Sequence, residues 1–400
     1  MQSFLDTDLH KLTLQQAVRQ CFPRTSVVYR LHPVDGVELG PDFAGWLRKG
    51  LRTWSEQFVC SIEELGWLEG TGYFSPSYLD FLADYHFDSN ELDISVTADG
   101  RLNLTVSGNW QSAILWEVPL LTTISELYYA HVDTGWNVPA CVEDYREFMR
   151  RRVDHLLAND CSFVDSETCR RRSPAMQEAA LTSSRDAHRD AGYRGGHGFL
   201  GTSNLHFART LQIPAVGAMS QEWVIAHSVF SGLKTANRDA LLRWMQVYGN
   251  RATTALVDTY SSALFFENFD RVLAEVYDSI GHNGSNPYHF IQSALTYYEL
   301  RDIDPRQKTL LLNEQIEPEL AIALQQFAGR KTRIASLLST GLRHENCAHP
   351  LAEIRLAEIN GRAVCDPSRA PRSVMEVPQP ENPVGDRLEF RPRRISRFTP

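Results

Sequence analysis

The stretch FLGTSNLHFARTLQIPAVGAMSQEW, residues 199–223, decides the fold. A short apolar run, FLGTSN, ends in polar residues. A helix-length segment follows, and then a second run of small and apolar residues, AVGAMS. The same texture returns in TALVDT (254–259), TLLLNE (309–314) and RIASLLST (333–340). Short apolar strands separated by helical crossovers are the pattern of parallel strands buried on both faces. In a barrel of such units the active groups stand at the carboxyl ends of the strands. That places Thr202-Ser203-Asn204, Ser220-Gln221-Glu222, Asp258-Thr259, Asn313-Glu314 and Ser339-Thr340 at one mouth.

The flanking sequence reads differently. Residues 5–22 carry apolar stripes at helical spacing and stop at Pro23, which predicts a helix. Residues 92–106 alternate apolar and polar on both sides of Asp99-Gly100, the signature of a hairpin with one wet face. Pro318 and Gly329 bracket a helix whose Ile316, Leu320, Leu324 and Phe327 are expected on one face. A further strand pair is expected around Asn360-Gly361. The predicted organisation is α/β: an irregular barrel over 141–345, an α+β domain over 1–140, and a segment over 346–400 returning to it.

Composition narrows the function. The chain has 400 residues, 43% hydrophobic and 22% charged, with a net charge of -9. A sizeable core is possible, while a net negative charge opposes general nucleic-acid binding. The seven cysteines are scattered, with no Cys-x-x-Cys, and suit a reducing cytoplasm. MQSFLDTDLHK has no apolar signal region, and no unbroken apolar run is long enough for a membrane span. No metal-ligand spacing is present.

Seven segments, in order, resemble nicotinate phosphoribosyltransferases over essentially the whole chain. They are DTDLHKLTLQQAV (6–18), GNWQSAILWEVPLLTTISE (108–126), GTSNLHFART (201–210), VGAMSQEWVIAH (216–227), ALVDTYSSALFFENF (255–269), IDPRQKTL (303–310) and EINGRAV (358–364). The resemblance implies a type II phosphoribosyltransferase fold, often dimeric. It also implies ribose 5-phosphate transfer from phosphoribosyl pyrophosphate to nicotinate in NAD salvage, with magnesium, and with ATP hydrolysis coupled through a phosphohistidine.

Set against the family's motifs, the ligand positions depart together. Gln221 stands where G-T-x-A-H-E-W has its histidine, and a carboxamide has no basic nitrogen to accept a phosphoryl group. Ala218 takes the place of that segment's threonine. His10 replaces the tyrosine that packs on the pyridine ring, and Lys11 is kept. In R-H-D-S-G-D-P, Gly281 replaces the arginine that holds the carboxylate, and Asn283 and Asn286 replace the aspartates; His282 and Pro287 remain. Glycine offers nothing in place of a bidentate Arg–carboxylate contact. F-G-x-R-R becomes SETCRR, with Glu167 and Cys169 ahead of Arg170 and Arg171. G-I-G-T becomes LLST, keeping Thr340. The lysines of a late K-L-S-x-x-x-x-K segment fall at Asp366 and Ser373.

Three readings follow. The first is an enzyme with an altered site acting on another heterocycle, not ATP-coupled through a phosphohistidine. It would use Arg170, Arg171, Ser203, Asn204, Glu222, Asp258, His282 and Thr340, with His282 as general acid or base. The second is a non-catalytic protein, a homodimer or a partner of a catalytic paralogue. The third is residual nicotinate phosphoribosyl transfer. Each residue also has a bland role: Ser203 or Asn204 as a helix cap, Asp258 as an acidic cap, His282 as a loop histidine, Glu222-Trp223 as barrel wall.

Overall fold

The computed structural model describes residues 2–32, 42–97, 101–132, 134, 138–166, 168–193, 196–251, 254–284, 286–312, 316–338 and 352–365. Its strands are β1 (Ser26–His32), β2 (Leu92–Val96), β3 (Leu102–Asn109), β4 (Ser162–Asp165), β5 (Phe199–Thr202), β6 (Ala255–Leu256), β7 (Ser279–His282), β8 (Thr309–Leu312), β9 (Arg333–Leu338), β10 (Glu353–Ile359) and β11 (Arg362–Ala363). They form two sheets. One is antiparallel in the order β11-β10-β1-β3-β2; the other is parallel in the order β5-β4-β9-β8-β7-β6.

The parallel sheet closes through residues 214–219. Thr202 donates its amide to Pro214 O, and Val216 donates to Thr202 O, joining residues 214–216 to the end of β5. Met219 N donates to Thr254 O, joining the same stretch to the start of β6. AVGAMS is therefore not the regular strand its composition predicts. It is an irregular stave, held by single bridges at Ala215 on one side and Ala218 on the other. Close approach is what permits it. Gly201 has φ +137°, and a Cβ there would lie 2.2 Å from Pro214 O.

Three strands were not read from the sequence, among them β1. SFVD forms β4, and SIGH forms β7, so Gly281 and His282 end a strand instead of lying in a loop. SIGH carries one large apolar residue, Ile280, and so shows no apolar run, while SFVD is no shorter than β5 or β8.

The antiparallel sheet is built as alternation demands. Leu102, Leu104 and Val106 are buried on β3, and Val106 pairs with the buried Tyr29 of β1. On β10 the buried residues Ile354, Leu356 and Ile359 break the two-residue period. A register shift against β1 between Val28 and Tyr29 leaves Ala357 unpaired and returns Ile359 to the apolar face. β10 and β11 meet at Asn360 (φ 49°) and Gly361 (φ 73°), the left-handed pair a tight hairpin needs. The Asp99-Gly100 turn of the other hairpin lies outside the described residues.

Two helix expectations need correction. The first helix runs Leu9–Cys21, and residues 5–8 do not join it. Leu205 N donates to Thr7 O, His206 N to Leu5 O and Leu9 N to Ser203 O, so this run is tied to the end of β5. The later helix is Pro318–Ala328, as its Pro and Gly signals predict, but its packed face is Ala321, Leu324 and Ala328. Leu320 and Phe327 remain exposed. The small alanines lie against the barrel, where larger side chains would not fit as closely.

One continuous apolar core joins the barrel and the antiparallel sheet. Inside it lies His227, with its ring centroid 4.6 Å from that of Trp223 and 5.5 Å from that of Phe22. Its Nδ1–H donates to Trp223 O at 2.7 Å, and burial pushes its pKa down to about 4. A buried neutral histidine must charge on acid unfolding. Its contribution is complete above the unfolded value of 6.5 and is lost as pH falls from there toward about 4. Over that window unfolding free energy, measured by denaturant titration, falls by up to about 1.4 kcal/mol per pH unit on account of this residue. His227→Phe flattens the slope by that amount.

Candidate functional site

The carboxyl ends of the parallel strands converge as the sequence reading requires. β4 ends at Asp165, which accepts from Thr202 Oγ1 at 2.7 Å and Gln177 Nε2 at 3.1 Å, so the ends of β4 and β5 are locked together. The closing stave carries Ala218 and leads to Ser220, whose hydroxyl caps the Gln221–Ser231 helix. Gln221 is the first residue of that helix and is half-buried.

Three buried clusters bind the N-terminal run to this mouth. In the first, Lys11 Nζ lies 2.5 Å from Glu117 Oε2 and 3.2 Å from Glu222 Oε2. Glu222 Oε1 also accepts from the Tyr29 hydroxyl and, at 2.8 Å, from Trp110 Nε1. Burial works against the Lys11 charge, yet Glu117 and Glu222 outweigh it and hold the ammonium above the usual lysine range. Burial raises the Glu117 carboxyl, and Glu222 adds to that effect.

In the second, Arg171 makes a bidentate pair with Asp6, both contacts at 2.7 Å, and donates to Glu126 at 2.9 Å. Asn204 Nδ2 donates to Asp6 at 2.8 Å. Desolvation opposes the Asp6 carboxylate, but Arg171 and Asn204 prevail and keep its pKa below the ordinary value. In the third, Asp8 Oδ1 accepts from the Ser203 and Thr168 hydroxyls, each at 2.7 Å. Burial dominates there and raises the Asp8 pKa.

These contacts settle several expected roles. Asn204 does cap a helix, Leu205–Leu211, by accepting from Phe207 N. Ser203 binds Asp8 instead of capping. Asp258 caps nothing, because Ser261 caps the Ser262–Asn268 helix. Arg171 is spent inside the protein, whereas Arg170 is half-buried and in no ion pair among the described residues. His10 is half-buried, and desolvation with the Lys11 charge pushes its pKa down to about 3, so its ring is neutral. Gly281 lies within β7 and contributes backbone only. Asn313, Glu314, Glu167, Ser339, Thr340, Asp366 and Ser373 fall outside the described residues.

Beyond the stave, Asp258 and Thr259 leave β6 beside His282 and Asn283 leaving β7. Asn283 N donates to Asp258 Oδ2 at 2.7 Å, and His282 Nδ1 is 3.3 Å from the same oxygen without hydrogen-bond alignment. The His282 ring stacks on Phe290 at 4.7 Å and 10°. Asp258 Oδ1, Thr259 Oγ1 and both His282 nitrogens are buried with no hydrogen-bond partner among the described residues. Burial raises the Asp258 carboxyl and lowers His282, each partly offset by the other.

Sequence reasoning missed Asp6, Asp8, Glu117, Tyr29, Trp110 and Thr168. One signal was present: Asp6 and Asp8 in DTD are two apart, which aims both carboxylates one way in an extended run. Among the described residues no group of three or more His, Cys, Asp and Glu side chains is arranged to hold a metal ion. No described helix is long and apolar enough to cross a membrane.

Comparison with known proteins gives a single answer. The nicotinate phosphoribosyltransferase (NAPRTase) N-terminal domain matches residues 5–125, and the NAPRTase family matches residues 161–389. A nicotinate phosphoribosyltransferase of Desulforapulum autotrophicum is 32% identical over 352 residues, covering 88% of this chain and 87% of its own. One from Methanococcoides burtonii is 30% identical, covering 86% and 85%. The crystal structure of the Porphyromonas gingivalis enzyme superposes with a TM-score of 0.82 at 27% identity, covering 91% of each chain.

The Asp6–Arg171 pair is 0% and 1% exposed at its side chains. Replacing Arg171 with Met leaves a buried carboxylate unpaired. The expected loss is about 3–5 kcal/mol of unfolding free energy in chemical denaturation. Asp6→Asn in the same background recovers part of it.

Proposed function

Because the chain belongs to the nicotinate phosphoribosyltransferase family, we propose that it is a phosphoribosyltransferase-type enzyme for a heterocyclic base with an altered mouth. In this reading the mouth neither grips a nicotinate carboxylate through residue 281 nor couples turnover to ATP through residue 221. The carrying observation is the internal pairing of the cations. Lys11 is held by Glu117 and Glu222, and Arg171 by Asp6 and Glu126. An ammonium or guanidinium already matched by two carboxylates has little charge left for an incoming anion.

The transfer breaks the C1–O bond to pyrophosphate and forms a C1–N bond to the base. Arg170 supplies the cation available for the donor's phosphates. The neutral His10 ring offers a face for the base, and a neutral ring favours an uncharged base over an anionic one. The phosphohistidine route does not fit, because the Gln221 carboxamide is neither basic nor a phosphoryl acceptor. Among the described residues no group of three or more His, Cys, Asp and Glu side chains is arranged to hold magnesium by protein ligands alone, and no step is routed through the ion.

The test is a thermal-shift and turnover panel with phosphoribosyl pyrophosphate, nicotinate, nicotinamide and uncharged azoles, with and without ATP. The donor alone should raise the melting temperature. Nicotinate should show no advantage over nicotinamide, since the missing charge-assisted contact is worth about 1.5–3 kcal/mol, roughly ten- to a hundredfold in affinity. ATP should stimulate nothing. ATP-stimulated nicotinate mononucleotide formation contradicts the proposal. No response to the donor or to any base moves the reading to a non-catalytic partner.

A further inference from the structure

Asp258 and His282 stand apart from the three satisfied clusters, because their buried polar atoms lack partners. Asp258 follows β6 and His282 ends the neighbouring β7, and the chain leaving β7 folds back over them. Asn283 gives its amide to Asp258 Oδ2 at 2.7 Å. At Gly284 an added Cβ would lie 2.6 Å from His282 Cε1 and 3.3 Å from Asp258 Oδ2, so this backbone passes directly over both groups. On the opposite face the imidazole is fixed by Phe290. His282 Nδ1 and the Asn283 amide thus converge on one carboxylate oxygen.

We propose that Asp258 and His282 form a proton-operated latch: a protonated His282 competes with the Asn283 amide for Asp258 Oδ2 and thereby resets the position of Asn283 and Gly284 at the barrel mouth. The neutral ring leaves Asp258 to the amide, the arrangement in the structure. The protonated ring has two N–H donors and a charge that draws the carboxylate. Asp258 faces His282 from β6, and His289 faces it as a like charge from the Pro287–Glu299 helix. On β8 its strand partner is the uncharged Leu312. Burial and His289 favour the neutral ring; Asp258 and the Gly284 backbone oppose them.

The latch has a consequence that rests on the function proposed above. A protonated His282 would add a positive charge to the barrel mouth, so binding of the anionic donor would take up a proton. His282 and Asp258 are positioning residues in this account, since both are covered by the Asn283–Gly284 backbone.

The experiment has two arms. In ligand-free, full-length protein labelled with 15N at histidine and asparagine, the Asn283 amide resonance should move with the titration of the His282 ring. That movement should vanish in His282→Gln. The exposed His289→Gln variant should shift both curves together toward higher pH, which keeps the test valid if His282→Gln fails to fold. An Asn283 amide that ignores His282 titration overturns the latch. In the second arm, calorimetry of phosphoribosyl pyrophosphate in buffers of different ionisation enthalpy should show proton uptake. Affinity should rise as pH falls, with a limit of about tenfold per pH unit for one linked proton, and His282→Gln should lose that dependence. Binding with no proton uptake overturns the linkage. No binding at any pH counts against the proposed function and leaves the first arm to decide the latch.

Discussion

The pairing of a buried cation with two carboxylates, made once by Lys11 and again by Arg171, is the constraint on which the rest of this structure depends. Each carboxylate set draws on distant parts of the chain. Glu117 and Glu222 come from the α+β side and the barrel; Asp6 comes from the N-terminal run and Glu126 from the Glu117–His131 helix. Charges this deep are costly unless paired and hydrogen-bonded. Tyr29 and Trp110 complete Glu222, and Asn204 completes Asp6. The N-terminal run is therefore fixed against the carboxyl ends of the barrel strands by polar contacts, while the apolar core beneath is shared.

That arrangement bears on the proposed change at the ligand positions. Gly281 and Ala218 contribute no polar side chain, and Gln221 begins a helix with a carboxamide. A mouth whose inherited cations were turned outward could tolerate such changes by rebalancing. Here Lys11 and Arg171 are turned inward, and in the proposed reading Arg170 is the cation that meets an anion. Among the described residues, buried atoms without hydrogen-bond partners gather around Asp258, Thr259 and His282.

Much of the fold was legible in the sequence for identifiable reasons. The 92–106 hairpin and the Asn360-Gly361 turn announced themselves because alternation and left-handed turn residues are local properties. β5, β8 and β9 were legible as apolar runs bounded by polar residues. β7 was not, because SIGH holds a single large apolar residue, and β4 was missed although SFVD is no shorter than β5 or β8. Residues 5–8 imitated a helix because Leu5 and Leu9 happen to be four apart, while hydrogen bonds to residues 203–206 decide their path. At the site, strand ends predicted where Asp258 and Ser203 would lie. What they would touch was not local and could not be read from spacing.

The central claim is most directly tested by a double-mutant cycle on unfolding free energy, with Lys11→Met, Glu222→Gln and the pair. A cation matched internally predicts strong coupling, at the upper end of the roughly 0.5–3 kcal/mol seen for contacting residues. The double mutant should then be more stable than the sum of the single losses. Additive losses would mean that Lys11 and Glu222 do not hold each other, and that Lys11 remains free to meet a ligand.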